Sequence, residues 1–544
     1  YKHFAQALYV QKTSMEVSTV TENDMGSRRY IYDSLYGVIY LPNFIWKVIP
    51  CTELQHLREV RLCDINSLCL TGGANINRYE HAIGTCHLAN ECVKNWPQQN
   101  PISEEEQQQL LLAALLHDVV NPAFGHSVEH VVYKEGFRHE NSFEDLVFGR
   151  KTTKPYQYRS AKLEPIYFGL HMELASKISQ ENLKAIGGII NGEGKLGPLI
   201  NGTMDLDNID NVFRLAYHIG IVKSGKVPLN LARSLWVENN SLIIEEKTIS
   251  YVEEWYNVRK KLYSFLLLNP EEFSGKCMLR EAIELAKKKH KHSFNWYDTD
   301  FTLLTSLFEM HQLVRQEVKS YLFPFVNEFV GELNNCKLSK KLLRIFRENG
   351  YALSDKAYVE LTENGWKIHD RAKVYFVKHW KNELRVYKLL ERGVEIRRII
   401  RRLMKGELYG CIGIFSTPNT EHSIIFTDMD SRRDLEDELT KIIRDEFMHY
   451  RFKSAIIALH PIVDVNKTKR QINFRTDKGH SLSIGKPSRR LLIGVFFSNP
   501  SLNMYKINPE SKILKKIRKR IEAYLSDYLD DVELKEVELY AETR

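Results

Sequence analysis

The sequence predicts a mainly α-helical protein, in which a large helical bundle is followed by a smaller α+β region at the C-terminal end. From residue 52 to about 333, apolar residues recur at helical spacing between short glycine-rich breaks. Beyond residue 340, short apolar or β-branched runs bounded by turn residues become frequent, which is typical of strands. We therefore predict an N-terminal segment (1–50), a helical domain (51–340) and an α+β region (341–544) with a regulatory or oligomerisation role.

The helical domain has its clearest helix start at Ser103. Ser103 and Glu106 have the spacing of a capping box, in which each side chain binds the other residue's backbone N–H. The apolar run 110–116 follows, so this helix is expected to extend to about residue 116. Nearer the N-terminus, residues 38–41 are expected to form a short strand that stops at Pro42, because proline cannot donate a ladder hydrogen bond.

The C-terminal region mixes helical and strand patterns. Between 340 and 410 the pattern is helical, most clearly at 384–403. A basic amphipathic helix is expected around 512–529. Strands are expected at the runs 411–415, 423–427, 456–463 and 491–497.

The chain is mildly basic, with 77 Lys and Arg against 69 Asp and Glu and a formal net charge of +8. Basic residues gather in the second half of the chain, in runs at 287–289, 397–402, 467–470, 486–490 and 515–520. Such runs form either solvated faces or sites for an anionic ligand such as a nucleotide. Nucleic-acid binding is an alternative that we do not expect.

Eight cysteines are scattered through the chain without C-x-x-C spacing, which argues against a zinc ribbon or a redox motif. They are expected to be reduced thiols of a cytosolic protein. No stretch reaches the ~20 apolar residues that a membrane span needs, and the N-terminus has no secretory pattern. We therefore expect a cytoplasmic protein that does not contact a membrane.

Four residues are predicted to hold a divalent metal ion: His81, His117, Asp118 and Asp207. Imidazole nitrogens with carboxylate oxygens suit Mn²⁺, Fe²⁺, Zn²⁺ or Mg²⁺, and no thiolate takes part. A His-Asp pair at the end of an apolar helix would leave two polar groups buried in a core without partners, which costs free energy. A shared metal removes that cost. The alternative is an ordinary helix C-terminus, with the imidazole near the last carbonyls. The ordered spacing of the four residues favours the metal.

Two longer motifs carry a resemblance to a known family. Residues 73–84 read Gly-Ala-Asn-Ile-Asn-Arg-Tyr-Glu-His-Ala-Ile-Gly, and residues 117–126 read His-Asp-Val-Val-Asn-Pro-Ala-Phe-Gly-His. Glu129 and the pair His139-Glu140 follow. With these motifs, over about residues 40–225, the chain resembles the HD-domain superfamily, and within it the deoxynucleoside triphosphate triphosphohydrolases, the dGTPase-like branch.

The resemblance implies metal-dependent hydrolysis at the α-phosphorus, which gives a deoxynucleoside and intact triphosphate. Arg78 would offer a bidentate fork to phosphate oxygens. His126, oriented by Glu129, is the candidate general acid that protonates the leaving 5′ oxygen. His139 would hold a phosphate or assist the proton transfer. The alternative for both histidines is a surface or capping position.

The chain departs from the family pattern at several positions. Asn121 stands where relatives have a second histidine after the His-Asp pair, and an amide has no acid or base role at neutral pH. Relatives follow the last metal aspartate with Lys, Tyr and Asp at one, four and eight residues, to bind triphosphate and sugar. Here those positions are Asn208, Asn211 and Leu215. We keep Asn121, Asn208 and Asn211 as predicted substrate-binding residues.

These departures leave two other functions open. One is a phosphodiesterase or nuclease of the same superfamily that acts on cyclic or oligomeric nucleotides. The other is a nucleotide-sensing regulator that binds with weak turnover. The resemblance also implies a homo-oligomer controlled by an allosteric nucleotide, for which the basic clusters 397–402 and 486–490 are candidate sites and simple solubility is the alternative.

Overall fold

The structure is a computed structural model. It describes residues 29–63, 65, 75–125, 143, 173–290, 298–310, 336–337, 354, 357–362, 365–370, 373–378, 395–447, 452, 455–465, 470–499, 502, 508 and 511–537.

The described chain opens with a two-stranded antiparallel ribbon. β1 (Ile31–Asp33) pairs with β2 (Gly37–Ile39), so the strand predicted at 38–41 is shorter than expected. Two one-turn helices follow, α1 (Ile45–Val48) and α2 (Thr52–Gln55). A 3₁₀ turn, His56–Glu59, continues from α2.

The helical bundle predicted from periodicity is present and contains one unexpected hairpin. β3 (Leu235–Glu238) and β4 (Ser241–Ile244) are joined by Asn239 and Asn240, both with positive φ, as a tight primed turn requires. Asparagine tolerates that conformation better than other non-glycine residues. The bundle helices are α3 (Arg78–Lys94), α4 (Glu104–Leu116), α5 (Glu173–Lys177), α6 (Gln180–Ile190), α7 (Leu206–His218), α8 (Lys226–Arg233), α9 (Ile249–Leu268) and α10 (Pro270–His290).

Side-chain caps start the three helices that matter most for the site. The capping box predicted at Ser103 is confirmed, with Ser103 and Glu106 bonding to each other's backbone N–H. The side chain of Asn77 accepts from the N–H of Glu80 at the start of α3. Asp205 does the same for Asn208 at the start of α7. Each cap fixes the first turn, and two of those turns carry a predicted metal-binding residue.

The segment 340–410 differs from the helical expectation. It contains β6 (Tyr358–Thr362), β7 (Gly365–Asp370) and β8 (Lys373–Lys378), an antiparallel meander that β5 (Cys336–Lys337) extends. The alternation in Tyr-Val-Glu-Leu-Thr and Lys-Val-Tyr-Phe-Val-Lys is a strand pattern that the helical interpretation overlooked. The helix predicted most clearly, at 384–403, is found at 395–404, and residues 384–394 lie outside the described residues.

A four-stranded antiparallel sheet with two long helices forms the predicted α+β region. Its strands are, in spatial order, β10 (Ile457–Val465), β13 (Arg489–Phe497), β9 (Gly410–Thr417) and β14 (Lys535–Glu536). The helices α12 (Met429–Glu446) and α13 (Lys512–Tyr528) pack against it. The strands predicted at 411–415, 456–463 and 491–497 and the basic helix are confirmed. The elements are β9 (Gly410–Thr417), α11 (Ser423–Thr427), α12 (Met429–Glu446), β10 (Ile457–Val465), β11 (Ile472–Thr476), β12 (Ser481–Ile484), β13 (Arg489–Phe497), α13 (Lys512–Tyr528) and β14 (Lys535–Glu536).

The strand predicted at 423–427 is wrong, because these residues form α11. Asn419 caps the 3₁₀ turn that precedes this helix. Phe426 is fully buried while Ile424 is 70% exposed. Burying one large side chain per turn is what a helix on a sheet surface does, and it overrides the strand preference of the two isoleucines.

The domain boundary predicted near residue 340 stays a prediction, and contacts join the chain on its two sides. β11 pairs in parallel with β4, so a second sheet, β12-β11-β4-β3, joins C-terminal strands to the hairpin of the bundle. Phe273 of α10 packs against Phe496 of β13, with ring centroids 6.1 Å apart. The helical bundle and the α+β region therefore share cores.

Some predicted basic clusters are engaged inside the fold. Arg402 is buried, donates to the carbonyl of Ser498 at 2.6 Å and lies over the ring of Tyr409. Arg490 pairs with Asp464 at 3.1 Å. None of the described helices has the length and apolarity that crossing a membrane requires.

Candidate metal centre

Three helix ends converge on one point. His81 lies in the first turn of α3, His117 caps the C-terminus of α4, and Asp207 lies in the first turn of α7. The Nε2 atom of His81 is 3.2 Å from Nε2 of His117 and 2.8 Å from Oδ1 of Asp207. Nε2 of His117 is 3.5 Å from the same oxygen. These donor atoms lie close enough together to share one metal ion.

Asp118, the fourth predicted ligand, borders the same point. Its Oδ1 is 3.7 Å from Nε2 of His117, and its Oδ2 is 3.9 Å from Nε2 of His81. Both histidines and Asp118 are buried, whereas the side chain of Asp207 is 29% exposed. The cluster is therefore reached from solvent on the Asp207 side.

Hydrogen bonds at the far side of each imidazole orient the two rings. Nδ1 of His117 lies 2.9 Å from the carbonyl oxygen of Ala114, and a carbonyl only accepts, so Nδ1 carries the proton. Nδ1 of His81 lies 2.7 Å from Oδ2 of Asp210. Both Nε2 atoms face the cluster, as metal-binding histidines do when a carboxylate or carbonyl holds the other nitrogen.

The electrostatics of the metal-free cluster suit a cation. Burial lowers the pKa of His81, but hydrogen bonds to Asp207 and Asp210 outweigh it and raise that pKa to about 10. Burial would raise the pKa of Asp118, but Arg78 and the two histidines hold it well below its usual range. Without metal, protons on the imidazoles balance the carboxylates. A divalent ion would take over that role, and the nitrogen and oxygen donor set fits Mn²⁺, Fe²⁺, Zn²⁺ or Mg²⁺.

Asp210 and Arg214 support the imidazole of His81 on the side away from the cluster. Neither was predicted from the sequence as a site residue. Nε of Arg214 donates to Oδ2 of Asp210 at 2.9 Å, and Nη2 donates to Oδ1 at 3.1 Å. Both side chains are fully buried. Their i, i+4 spacing after Asp207 was visible in the sequence and could have indicated a buried ion pair on one face of α7.

Gly84 makes room for this ion pair. A Cβ at Gly84 would overlap Nη2 of Arg214 and Oδ1 of Asp210 and would lie 2.8 Å from Cγ of Asp210. Glycine is therefore required for α3 and α7 to approach this closely. The packing gives a physical reason for the last glycine of the 73–84 motif.

Arg78 and Asn121 both bond to Asp118. Nη1 of Arg78 donates to Oδ2 of Asp118 at 2.8 Å, and the Asn121 side-chain amide donates to Oδ1. Arg78 is 5% exposed and Asn121 is fully buried. Within the described part of the chain, Oδ1 of Asn121 has no hydrogen-bond partner. Arg78 and Asn121, two of the predicted substrate-binding residues, thus lie at the centre and are hydrogen-bonded to Asp118.

Asn208 and Asn211 have different surroundings. The amide of Asn208 is bound by Asp205, and its oxygen accepts from Nη1 of Arg470 at 3.2 Å. Oδ1 of Asn211 is buried and without a partner among the described residues. The side chain of Asn208 is therefore used in contacts within the protein, whereas Oδ1 of Asn211 can still accept a hydrogen bond. The predicted catalytic residues His126, Glu129 and His139 lie outside the described residues.

Comparisons with known proteins agree on the domain. A family model described as HD domain matches residues 78–212. An uncharacterized protein of Methanocaldococcus jannaschii is 26% identical over 260 residues, which are 47% of this chain and 49% of that protein. The deoxynucleoside triphosphate triphosphohydrolase SAMHD1 homolog of Dictyostelium discoideum is 21% identical over 230 residues, 40% of this chain and 42% of that protein.

The matches span about half the length of two curated relatives, 49% of the Methanocaldococcus jannaschii protein and 54% of an uncharacterized protein of Bacillus subtilis. The crystal structure of a phosphohydrolase from Bacteroides thetaiotaomicron has the same fold, with a TM-score of 0.50 and 14% identity. The superposition covers 87% of this chain and 100% of that chain. Residues 78–212 therefore form an HD domain, and the chain resembles the deoxynucleoside triphosphate triphosphohydrolase branch of the HD-domain superfamily.

Proposed function

We propose that the chain is a metal-dependent phosphohydrolase that converts deoxynucleoside triphosphates to deoxynucleoside and triphosphate. One observation carries the proposal: His81, His117 and Asp207 place their donor atoms around one point in an HD domain, beside Asp118. The similarity to a deoxynucleoside triphosphate triphosphohydrolase supports the substrate class.

A divalent ion held by His81, His117, Asp118 and Asp207 would act as a Lewis acid. It would polarise a phosphate oxygen and lower the pKa of a water molecule. Asp210 and the carbonyl of Ala114 keep the two imidazoles aimed at the ion. Asp207, as the partly exposed member, faces the side from which a substrate enters. The buried amide oxygens of Asn121 and Asn211 accept hydrogen bonds from substrate hydroxyls or ordered water.

Arg78 has two roles in this proposal. In the metal-free protein its guanidinium neutralises Asp118. A divalent ion held by Asp118 would share this neutralising role, and the guanidinium of Arg78 would then also bind a phosphate oxygen of the substrate. Metal binding and substrate binding would thereby be coupled through one carboxylate.

His126, oriented by Glu129, is proposed as the general acid that protonates the leaving 5′ oxygen. Imidazole titrates near neutral pH and so suits this role. His139 is proposed to hold a phosphate or to assist that transfer. These roles rest on the sequence motifs.

The test is a product analysis. Purified protein is incubated with Mn²⁺ or Mg²⁺ and each dNTP, singly and mixed, and deoxynucleoside, tripolyphosphate and pyrophosphate are separated by ion-exchange chromatography. Asp118→Asn should abolish turnover, because it removes a ligand charge with little change in shape. Asp434→Asn, the same change at an exposed position on α12, should leave turnover unchanged.

Deoxynucleoside with tripolyphosphate, absent for Asp118→Asn, is the expected result. Pyrophosphate in place of tripolyphosphate would refute cleavage at the ester bond of the α-phosphorus. Absence of turnover in every mixture, together with tight dNTP binding, would refute the enzymatic function and favour a nucleotide-sensing regulator.

We also propose a homo-oligomer with an allosteric nucleotide. The similarity to the Dictyostelium protein supports the nucleotide class alone. Light scattering with and without mixed dNTPs tests both points: a nucleotide-dependent increase in mass is expected, and a constant monomer mass would contradict the proposal.

A phosphodiesterase is the second candidate. The side chain of Asn208 is engaged by Asp205 and Arg470, and Leu215 is buried in the core. Two positions at which relatives bind triphosphate and sugar are therefore unavailable here, which favours a phosphoester without a triphosphate group. Cleavage of a cyclic or oligomeric nucleotide, with all dNTPs intact, would establish this alternative.

A further inference from the structure

The turn between β1 and β2 contacts the helix that carries Asp207. Oδ2 of Asp33 accepts from Nη1 of Arg214 at 2.8 Å, and the hydroxyl of Tyr36 donates to Oδ1 of Asp210 at 2.8 Å. Oγ of Ser34 lies 2.9 Å from Nε2 of His218. The three partners on α7 are four residues apart, so they form one stripe along the helix.

The turn is held by hydrogen bonds to Asp33 and by close packing against Gly225. Oδ1 of Asp33 accepts from the backbone N–H groups of Leu35 and Tyr36, both at 2.9 Å. A Cβ at Gly225, the residue before α8, would lie 2.6 Å from the carbonyl oxygen of Leu35 and 2.9 Å from the Tyr36 ring. The turn therefore sits against α8 with no spare room, and its side chains reach α7 from a fixed position.

A continuous chain of contacts leads from the turn to the imidazole of His81, on the side of the ring away from the metal-facing Nε2. Tyr36 and Arg214 together occupy both oxygens of Asp210, and Arg214 is in turn held by Asp33. Asp210 then bonds to Nδ1 of His81 at 2.7 Å. Each contact is buried or half-buried, where hydrogen bonds to charged groups are strongest.

We propose that Asp33 and Tyr36 are positioning residues of the metal centre, which fix the imidazole of His81 through Asp210 and Arg214. The inference rests on the metal-binding part of the proposed function and extends it to the N-terminal ribbon, which the sequence left without a role. The ribbon acts as an outer clamp: it touches neither metal nor substrate, but it restricts the carboxylate that orients a ligand.

The experiment measures metal affinity in place of turnover. Chelator-treated protein is titrated with Co²⁺, whose visible absorption reports the ligand geometry, and with Mn²⁺ by calorimetry. Tyr36→Phe removes one hydroxyl and should weaken binding about 10-fold, the lower end of what losing an outer hydrogen-bond partner does. Tyr32→Phe, the same change at a 75% exposed position of β1, should leave the affinity unchanged.

A double-mutant cycle tests the route through Asp210. Asp210→Asn should itself weaken metal binding about 10- to 100-fold. In that background Tyr36→Phe should add nothing, because the contact that it weakens no longer holds a carboxylate. Full additivity of the two changes would refute the relay. Gly225→Ala, whose added methyl group would press on the carbonyl oxygen of Leu35 and on the Tyr36 ring, should displace the turn and reproduce the loss of affinity.

The outcomes separate this inference from the proposed function. Wild-type protein that binds neither Co²⁺ nor Mn²⁺ would overturn the metal centre and the clamp together. Wild-type protein that binds metal, with Tyr36→Phe unchanged in affinity and spectrum, would overturn the clamp alone. A lower melting temperature of metal-free Tyr36→Phe with normal affinity would assign the turn a purely structural role and would also refute the clamp.

Discussion

Replacing Gly84 by alanine should damage both the fold and the metal centre. The added methyl group would overlap Nη2 of Arg214 and Oδ1 of Asp210, and it would lie 2.8 Å from Cγ of Asp210. Neither neighbour can yield easily. Both side chains are fully buried, and Asp210 is also bonded to His81.

The magnitude follows from three opposing effects. Overpacking a well-packed core costs about 1–3 kcal/mol. Breaking a buried ion pair outright costs about 3–5 kcal/mol, so its partial displacement adds a fraction of that. Alanine in a helix interior recovers up to about 1 kcal/mol relative to glycine. We therefore expect Gly84→Ala to lower the free energy of unfolding by about 2–4 kcal/mol.

Gly188→Ala is the matched control. Gly188 also lies inside a helix, α6, but among the described residues a Cβ there would meet only the Glu193 side chain, at ordinary distances of 3.5 Å to Oε2 and 3.9 Å to Cβ. The same substitution should be neutral or stabilising by up to about 1 kcal/mol. A difference between the two variants therefore reports the space around Asp210 and Arg214, because the change in helix propensity is shared.

The assay is calorimetric unfolding of chelator-treated protein, with the transition of the HD domain identified as the one that added metal shifts upward. At about 3 °C per kcal/mol, Gly84→Ala should lower this transition by about 6–12 °C. Its metal affinity should fall as well, since Asp210 orients His81. A Gly84→Ala protein that melts within about 2 °C of wild type and binds metal normally would refute the packing argument.

Three further predictions concern protons, a long-range contact and a helix cap. The pKa of His81 is about 10 in the metal-free fold and about 6.5 in an unfolded chain, so its stabilising effect is complete below about pH 6.5 and is lost as the pH rises through 10. The melting temperature of metal-free protein should therefore fall as the pH rises from 7 to 10. Calorimetric metal titrations at pH 7, in buffers of different ionisation heat, should show about one proton released per metal bound. No proton release would contradict the raised pKa. Arg470→Ala should destabilise by about 1–2 kcal/mol, because it removes one hydrogen bond to Asn208 in the first turn of α7 and one to the carbonyl of Gly202 before that helix. Arg475→Ala, at an exposed position of β11, should have no effect in the same melts. Ser103→Ala should cost about 1 kcal/mol by opening the capping box, and Ser103→Asp should restore most of the loss; equal melting temperatures for the two variants would refute the cap.

Much of the site could be predicted from local sequence features. Helix starts are set within a few residues, and the caps at Asn77 and Asp205 place His81 and Asp207 in the first turns of their helices. His117 lies at the C-terminal end of the apolar run that the capping box at Ser103 begins. The donor atoms of His81, His117 and Asp207 lie close enough together to share one ion. The assignment of these residues and Asp118 as the metal ligands stays a prediction. The functional assignment of His126, Glu129 and His139 stays a prediction.

Other parts could not be predicted, because they depend on chain segments far apart in sequence. Tyr36 and Asp210 are separated by 174 positions, and Arg470 and Asn208 by 262. No local pattern distinguishes Tyr36 from the neighbouring tyrosines of the ribbon. The pairing of β11 with β4 likewise depends on two strands that local propensity treats separately.

The sequence alone determined which donor atoms this protein offers to a metal and at which helix ends they lie, because ligand chemistry and capping are local properties. The tertiary structure decided what holds those donors. Arg78, expected to face a phosphate, is bound to Asp118 in the metal-free fold. Asp210, Arg214 and Tyr36 form the support of His81. The physical reason is that a buried charge or polar group must be neutralised by whatever partner the packing of the whole chain brings near it.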